Sequence, residues 1–136
     1  MKIRILTLAF VSLLIACGSS TAPVVDQQFT MRFLNEVSLP AQVVGIDYAN
    51  VDQYWVMAGT LTLRGNKTYN ETLDIQFRQS SLLVSSYQTS ENGTYAIQGN
   101  GITFTTPDYS YTGTIDGNVL RYSTSSDLWR AYYTSP

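Results

Sequence analysis

The sequence predicts an all-β domain, a single up-and-down antiparallel β-barrel of about eight strands, behind an N-terminal signal-peptide helix. Three observations predict it. Tyr, Thr, Ser, Val and Ile are abundant while charged residues make up only 13% of the chain, a balance suited to pleated, half-buried strands. Hydrophobicity alternates with period two, and hardly any segment beyond the N-terminus repeats every 3.6 residues. Turn signals recur at the short spacing of a meander. Such a meander can close into a barrel, which removes the unpaired edges that invite aggregation.

The first element is the leader. Lys2 and Arg4 precede the apolar run Ile5 to Leu14, which contains no ionisable residue. That is a charged n-region and an h-region. The run is shorter than the roughly 20 apolar residues needed to span a bilayer, so a permanent span is the weaker reading. It ends in Leu14, Ile15, Ala16, Cys17, then Gly18 and Ser19. This resembles the lipobox of bacterial lipoprotein signal peptides; an ordinary secretory signal with a chance cysteine is the alternative.

The lipobox resemblance implies cleavage between Ala16 and Cys17, diacylglyceryl attachment to the Cys17 thiol, and acylation of the new amine by a chain such as palmitate. Each buried methylene adds about 0.8 kcal/mol, so two or three chains anchor firmly where one holds marginally. The partner so implied is a membrane of the bacterial cell envelope. Gly18 in place of an aspartate favours the outer membrane, with the domain facing the periplasm or the exterior. Cys17 is the only cysteine, which leaves no internal disulfide and no spare thiol.

The chain thus divides into residues 1–16 as signal peptide, 17–26 as lipidated cysteine and tether, and 27–136 as one domain. Of eight basic residues the leader removes Lys2 and Arg4, leaving six against ten acidic ones, a net charge of −4. Nothing basic is clustered, so nucleic acid is a poor partner.

Within the domain an opening strand is expected near Phe29 to Leu34. Asn35 to Asn50, with Leu39-Pro40, is the longest irregular stretch and is expected to cover one end of the barrel. Gln53 to Arg64 reads as a long strand with Trp55, Met57, Leu61 and Leu63 on one face, joined by Gly65, Asn66 and Lys67 in a tight hairpin to the next. That next strand alternates most clearly: Tyr69, Glu71, Leu73, Ile75 and Phe77 against Asn70, Thr72, Asp74, Gln76 and Arg78. A segment around Leu82 to Thr89 follows, then Asn92-Gly93 as a strong turn signal. Thr94 to Gln98, the Gly99-Asn100-Gly101 turn and Ile102 to Thr106 come next, with a break at Pro107-Asp108. Tyr109 to Ile115, the Asp116-Gly117-Asn118 turn, Val119 to Thr124 and Leu128 to Thr134 complete the meander.

The run Gly93-Thr94-Tyr95-Ala96-Ile97-Gln98-Gly99-Asn100-Gly101-Ile102-Thr103-Phe104-Thr105, followed by Tyr111-Thr112-Gly113-Thr114-Ile115-Asp116-Gly117-Asn118, resembles the lipocalin-like domains of small bacterial lipoproteins. The similarity covers roughly residues 53 to 133. It implies a barrel whose mouth holds a small apolar or amphiphilic ligand. Arg130, beside Trp129, then matches the cation packed on an aromatic ring that closes one end of lipocalin barrels; a solvated surface cation is the other reading.

The candidate ligand-binding residues are Trp55, Tyr69, Glu71, Phe77, Tyr95, Phe104 and Tyr111, expected to share the inward face. There the aromatics either line a cavity or fill a core. Glu71 sits in an otherwise apolar row, where a carboxylate without a partner costs several kcal/mol or takes up a proton. It is either the polar anchor of an internal pocket or a strand-end residue reaching water.

The chain has no histidine, which removes the commonest general base and the commonest metal ligand. No Ser-His-acid triad, metal-ligand spacing or phosphate-cradling glycine loop can be read. The expectation is a non-enzymatic protein without cofactor or metal. The alternative to a ligand binder is a protein-interaction or envelope-maintenance module that docks an envelope protein or inhibits an enzyme.

Overall fold

The computed structural model describes residues 26–43, 53–80, 82–124 and 129–136. The expected signal peptide, Cys17 and the tether as far as Val25 lie outside the described residues, as do residues 44–52 of the expected irregular stretch and its continuation.

Ten strands are described: β1 (Gln27–Leu34), β2 (Val37–Ser38), β3 (Ala41–Val43), β4 (Gln53–Leu63), β5 (Thr68–Gln79), β6 (Leu82–Gln98), β7 (Gly101–Thr105), β8 (Ser110–Asp116), β9 (Val119–Ser123) and β10 (Arg130–Thr134). From β4 to β10 each pairs antiparallel with the next; β10 then pairs with β1, and β1 with β4. That last ladder, with Phe29 opposite Leu61, closes an eight-stranded antiparallel barrel. β2 and β3 are short flaps on the far ends of β1 and β4. The alternating rows send Phe29, Leu61, Leu63, Tyr69, Ile75, Ile102, Phe104, Leu120 and Tyr133 into a core where each is at most 1% exposed.

Hairpin chemistry sets the register. Lys67, Gly99 and Gly117 adopt φ of 68°, 60° and 58°, the left-handed conformation that tight hairpins need, so the turns at Gly65 to Lys67, Gly99-Asn100 and Gly117-Asn118 fall where the sequence places them. Those three turns and the start of β1 share one end of the barrel. There Gly65 N donates to Asp26 Oδ1 at 3.0 Å.

Three expectations are corrected. Asn92-Gly93 is not a turn: it lies inside the 17-residue strand β6, and the chain reverses instead after Gln79, with Ser80 at φ 48°. Gly93 is needed for a close approach, because a Cβ there would sit 2.2 Å from the Thr105 carbonyl oxygen and 2.7 Å from Cε1 of Tyr69. The strand runs on through this point, with Gly93 opposite Tyr69 in an unbroken ladder, rather than turning back.

The stretch from Asn35 is not wholly irregular. Asn35 and Glu36, with φ of 51° and 69°, form a two-residue hairpin into β2, and β3 then buries Ala41 and Val43 against the core.

Trp55 does not share a face with Leu61 and Leu63, and Met57 is the extra residue of a bulge rather than a member of their row. β4 carries a β-bulge between Val56 and Ala58, which moves the inward set from even to odd positions. Before the bulge Val56 points in, leaving Trp55 outward with the Arg78 guanidinium 4.9 Å above its ring.

Candidate functional site

The barrel wall is uneven. β7, β9 and β10 are five residues long, whereas β5 and β6 run 12 and 17 residues, so the β5–β6 hairpin overhangs one end. A cleft opens at that end, where the short wall meets the tall one.

Glu71 stands in the inward row of β5 and is 5% exposed. Tyr122 of β9 donates to its Oε1 at 2.5 Å, and Tyr133 of β10 donates to the same oxygen. Trp129 Nε1 donates in turn to the Tyr122 hydroxyl at 3.2 Å. Burial pushes the Glu71 carboxyl up to about 7; the two phenol hydrogen bonds oppose that shift and the nearby Glu91 adds to it. Burial also holds Tyr122 and Tyr133 well above the ordinary phenol range, reinforced by the Glu71 charge. At neutral pH both phenols are therefore donors, and Glu71 divides between its charged and neutral forms.

Glu91, on β6, is the direct cross-strand partner of Glu71. Tyr69 and Tyr111 donate to its Oε1 at 2.6 Å each, and Tyr109 donates to Oε2. The hydrogen bond to Glu91, then burial, raises Tyr109 to about 12, while burial first of all raises Tyr69 and Tyr111. Three phenols on two strands and the loop before β8 thus hold the Glu91 side chain in one place.

Between these carboxyls lies a cleft of about 280 Å³ lined by Glu71, Leu73, Thr89, Ser90, Glu91, Tyr109, Tyr111, Tyr122, Thr124 and Trp129. Both phenols converge on Oε1 of Glu71, and no described residue donates to Oε2. No buried side-chain nitrogen or oxygen lacks a partner among the described residues, so Oε2 is not sealed in protein but borders the cleft. No basic side chain lines it among the described residues, and these hold no group of three or more His, Cys, Asp or Glu suited to a metal ion.

A larger groove of about 530 Å³ runs over the outer wall between Phe33, Arg121, Arg130 and Tyr132. Its cations are engaged: Arg130 pairs with Glu36 at 3.0 Å, and the Arg121 guanidinium lies 4.9 Å from the Tyr132 ring. The acid–phenol chemistry is all in the smaller cleft.

The sequence candidates are dispersed. Tyr69, Glu71 and Tyr111 meet at the cleft. Phe104 lies beneath it, its ring centroid 4.8 Å from that of Tyr69 and 5.0 Å from that of Tyr111. Tyr95 is buried toward the opposite end, donating to the Arg64 carbonyl at 2.8 Å. Phe77 packs 5.3 Å from Tyr54 and 5.4 Å from Tyr87 toward the tip of the overhang, and Trp55 faces outward. Arg130 takes the surface reading, being paired with Glu36 rather than packed on Trp129.

Glu91, Tyr109, Tyr122 and Trp129 complete the cleft and were not among the sequence candidates. Reading Asn92-Gly93 as a turn hides Glu91 in a loop. Placing the reversal at Ser80 would have set Glu91 opposite Glu71.

No protein-family model matches the chain, and neither a curated protein nor a solved structure matches it.

Proposed function

We propose that the chain is a non-catalytic bacterial lipoprotein, anchored through lipid on Cys17, whose lipocalin-like barrel binds a small apolar or amphiphilic ligand at its mouth. One observation carries the binding reading: a cleft of about 280 Å³ with a nearly buried carboxyl, to one of whose oxygens no described residue donates. Ligand pockets combine apolar walls with a few placed polar groups, and Leu73, Tyr111, Tyr122 and Trp129 supply the walls here. The aromatic core below leaves the ligand at the mouth rather than along the barrel axis.

Asp26, the last residue of the expected tether, meets the Gly65 hairpin at the end of the barrel far from the cleft. Native mass spectrometry of the protein from its own host should find a small molecule bound, lost in a Trp129→Ala variant; apo protein alone in repeated preparations would count against binding. Cys17→Ser should give an uncleaved precursor without the anchor, and normal maturation of that variant would overturn the anchoring reading.

A second reading, docking of an envelope protein, draws on the overhang, where Leu82 is 74% and Val84 55% exposed. Cross-linking in membranes would recover one reproducible partner, lost on Leu82→Ser with Val84→Ser.

A further inference from the structure

We infer that the cleft is a site for a small organic cation, an ammonium group on a short apolar body, held between Glu71 and Glu91 against Tyr111, Tyr122 and Trp129. The inference rests on the ligand-binding reading above and adds the sign of the ligand's charge.

Glu71 and Glu91 stand directly opposite one another in the β5–β6 ladder. Like charges in that position destabilise a sheet, and a proton or a cation relieves them. The phenols that hold both carboxyls orient them without supplying positive charge, and no lysine or arginine lines the cleft among the described residues. Oε2 of Glu71, to which no described residue donates, borders the cleft and can accept from an ammonium N–H.

The remaining wall suits the same guest. Aromatic rings attract cations through their negative π faces, more strongly in a desolvated site than in water. An anionic amphiphile such as a fatty acid would bring a third carboxylate beside two. The volume, about 280 Å³, is just under the roughly 300–1,000 Å³ of drug-sized pockets, which limits the guest to a small amine or to the head of a larger one.

Proton and cation compete for Glu71. Among the described residues, the titratable groups that face its carboxyl are the phenols Tyr122 and Tyr133 from across the barrel, Glu91 alongside, and the phenols Tyr69, Tyr109 and Tyr111 that hold Glu91, so ammonium binding strengthens as pH rises and Glu71 loses its proton.

The test uses the full chain in a nonionic maltoside micelle, titrated with hexylammonium, hexanol and hexanoate at pH 8 and pH 5.5. Calorimetry gives affinity, and the Trp129 indole N–H resonance, assigned with Trp129→Phe, locates binding. Hexylammonium should bind at least about tenfold more tightly than hexanol, with hexanoate weakest, and should weaken several-fold at pH 5.5. Glu91→Gln and Glu71→Gln should each erase most of the preference for hexylammonium over hexanol. Hexanol or hexanoate binding as tightly as hexylammonium would overturn the cation inference while leaving a ligand site in place. No Trp129 response to any of the three would sink both. Should Glu71→Gln fail to fold, Glu91→Gln decides, and an undiminished preference in it overturns the proposal.

Discussion

β6 belongs to two different environments. From Thr94 to Gln98 it has β5 or β7 ladders around it and sends Tyr95 into the core at 4% exposure. From Leu82 to Gly93 it pairs with β5 alone among the described residues, and Leu82, Leu83 and Val84 are 74%, 58% and 55% exposed. Leu82, Leu83 and Val84 are no less apolar than Tyr95 and Ile97. What differs is closure: a strand buries its inward row only where the sheet curls round to face it, and beyond Gly93 the short wall of β7 to β10 has ended. The cleft forms at this change of height, because there inward groups meet both packed protein and water.

The contrast can be broken most sharply in the closed half. Phe104 is fully buried among Tyr69, Tyr111 and Tyr122. Phe104→Ala should destabilise the domain by about 3–5 kcal/mol, read as a lower urea midpoint.

Next comes the carboxyl at the boundary. The folded state raises Glu71 from 4.5 to about 7, so between those values the unfolded chain gives up the proton first. Stability contributed by protonated Glu71 is therefore full below about pH 4.5 and lost as pH rises through 7, a total of about 3 kcal/mol. Glu71→Gln should flatten that part of the curve. Parallel pH–stability profiles for the two proteins would show that Glu71 is not the titrating group.

The close approach at Gly93 should be third. Gly93→Ala puts a methyl group against the Thr105 carbonyl and the Tyr69 ring, and overpacking of this kind costs about 1–3 kcal/mol. It should also disturb the Tyr69–Glu91 hydrogen bond.

Smallest is the overhang, where Leu82→Ser should change stability by less than about 0.5 kcal/mol. Hydrogen exchange sharpens the same comparison. Amides of residues 94 to 98 should exchange only with global unfolding, and those of residues 82 to 90 through local opening. Equal protection of the two stretches would mean that the overhang is held by contacts beyond those described.

The all-β class, the closed antiparallel barrel and most of the strands were legible in the sequence, because alternation and turn chemistry are local properties. The inward row from Tyr69 to Phe77 could be read residue by residue, and the glycine turns at Gly99 and Gly117 require only their own φ. The candidate site was legible in part: Tyr69, Glu71 and Tyr111 are rows in single strands, whereas Glu91, Tyr122 and Trp129 reach the cleft through register and curvature. One bulge at Met57 was enough to turn Trp55 from the core to the surface.

Gly93 shows why local reading stops there. Asn-Gly reads the same whether it turns a chain or lets one strand pass close to another, and only the position of Thr105 and Tyr69 distinguishes the two. The sequence by itself determined which residues alternate, where most hairpins form and that no histidine is available for chemistry. Tertiary structure decided which apolar residues are buried, that two glutamates face each other, and that five tyrosines converge on them, since burial and convergence depend on how the sheet closes over residues distant in the chain.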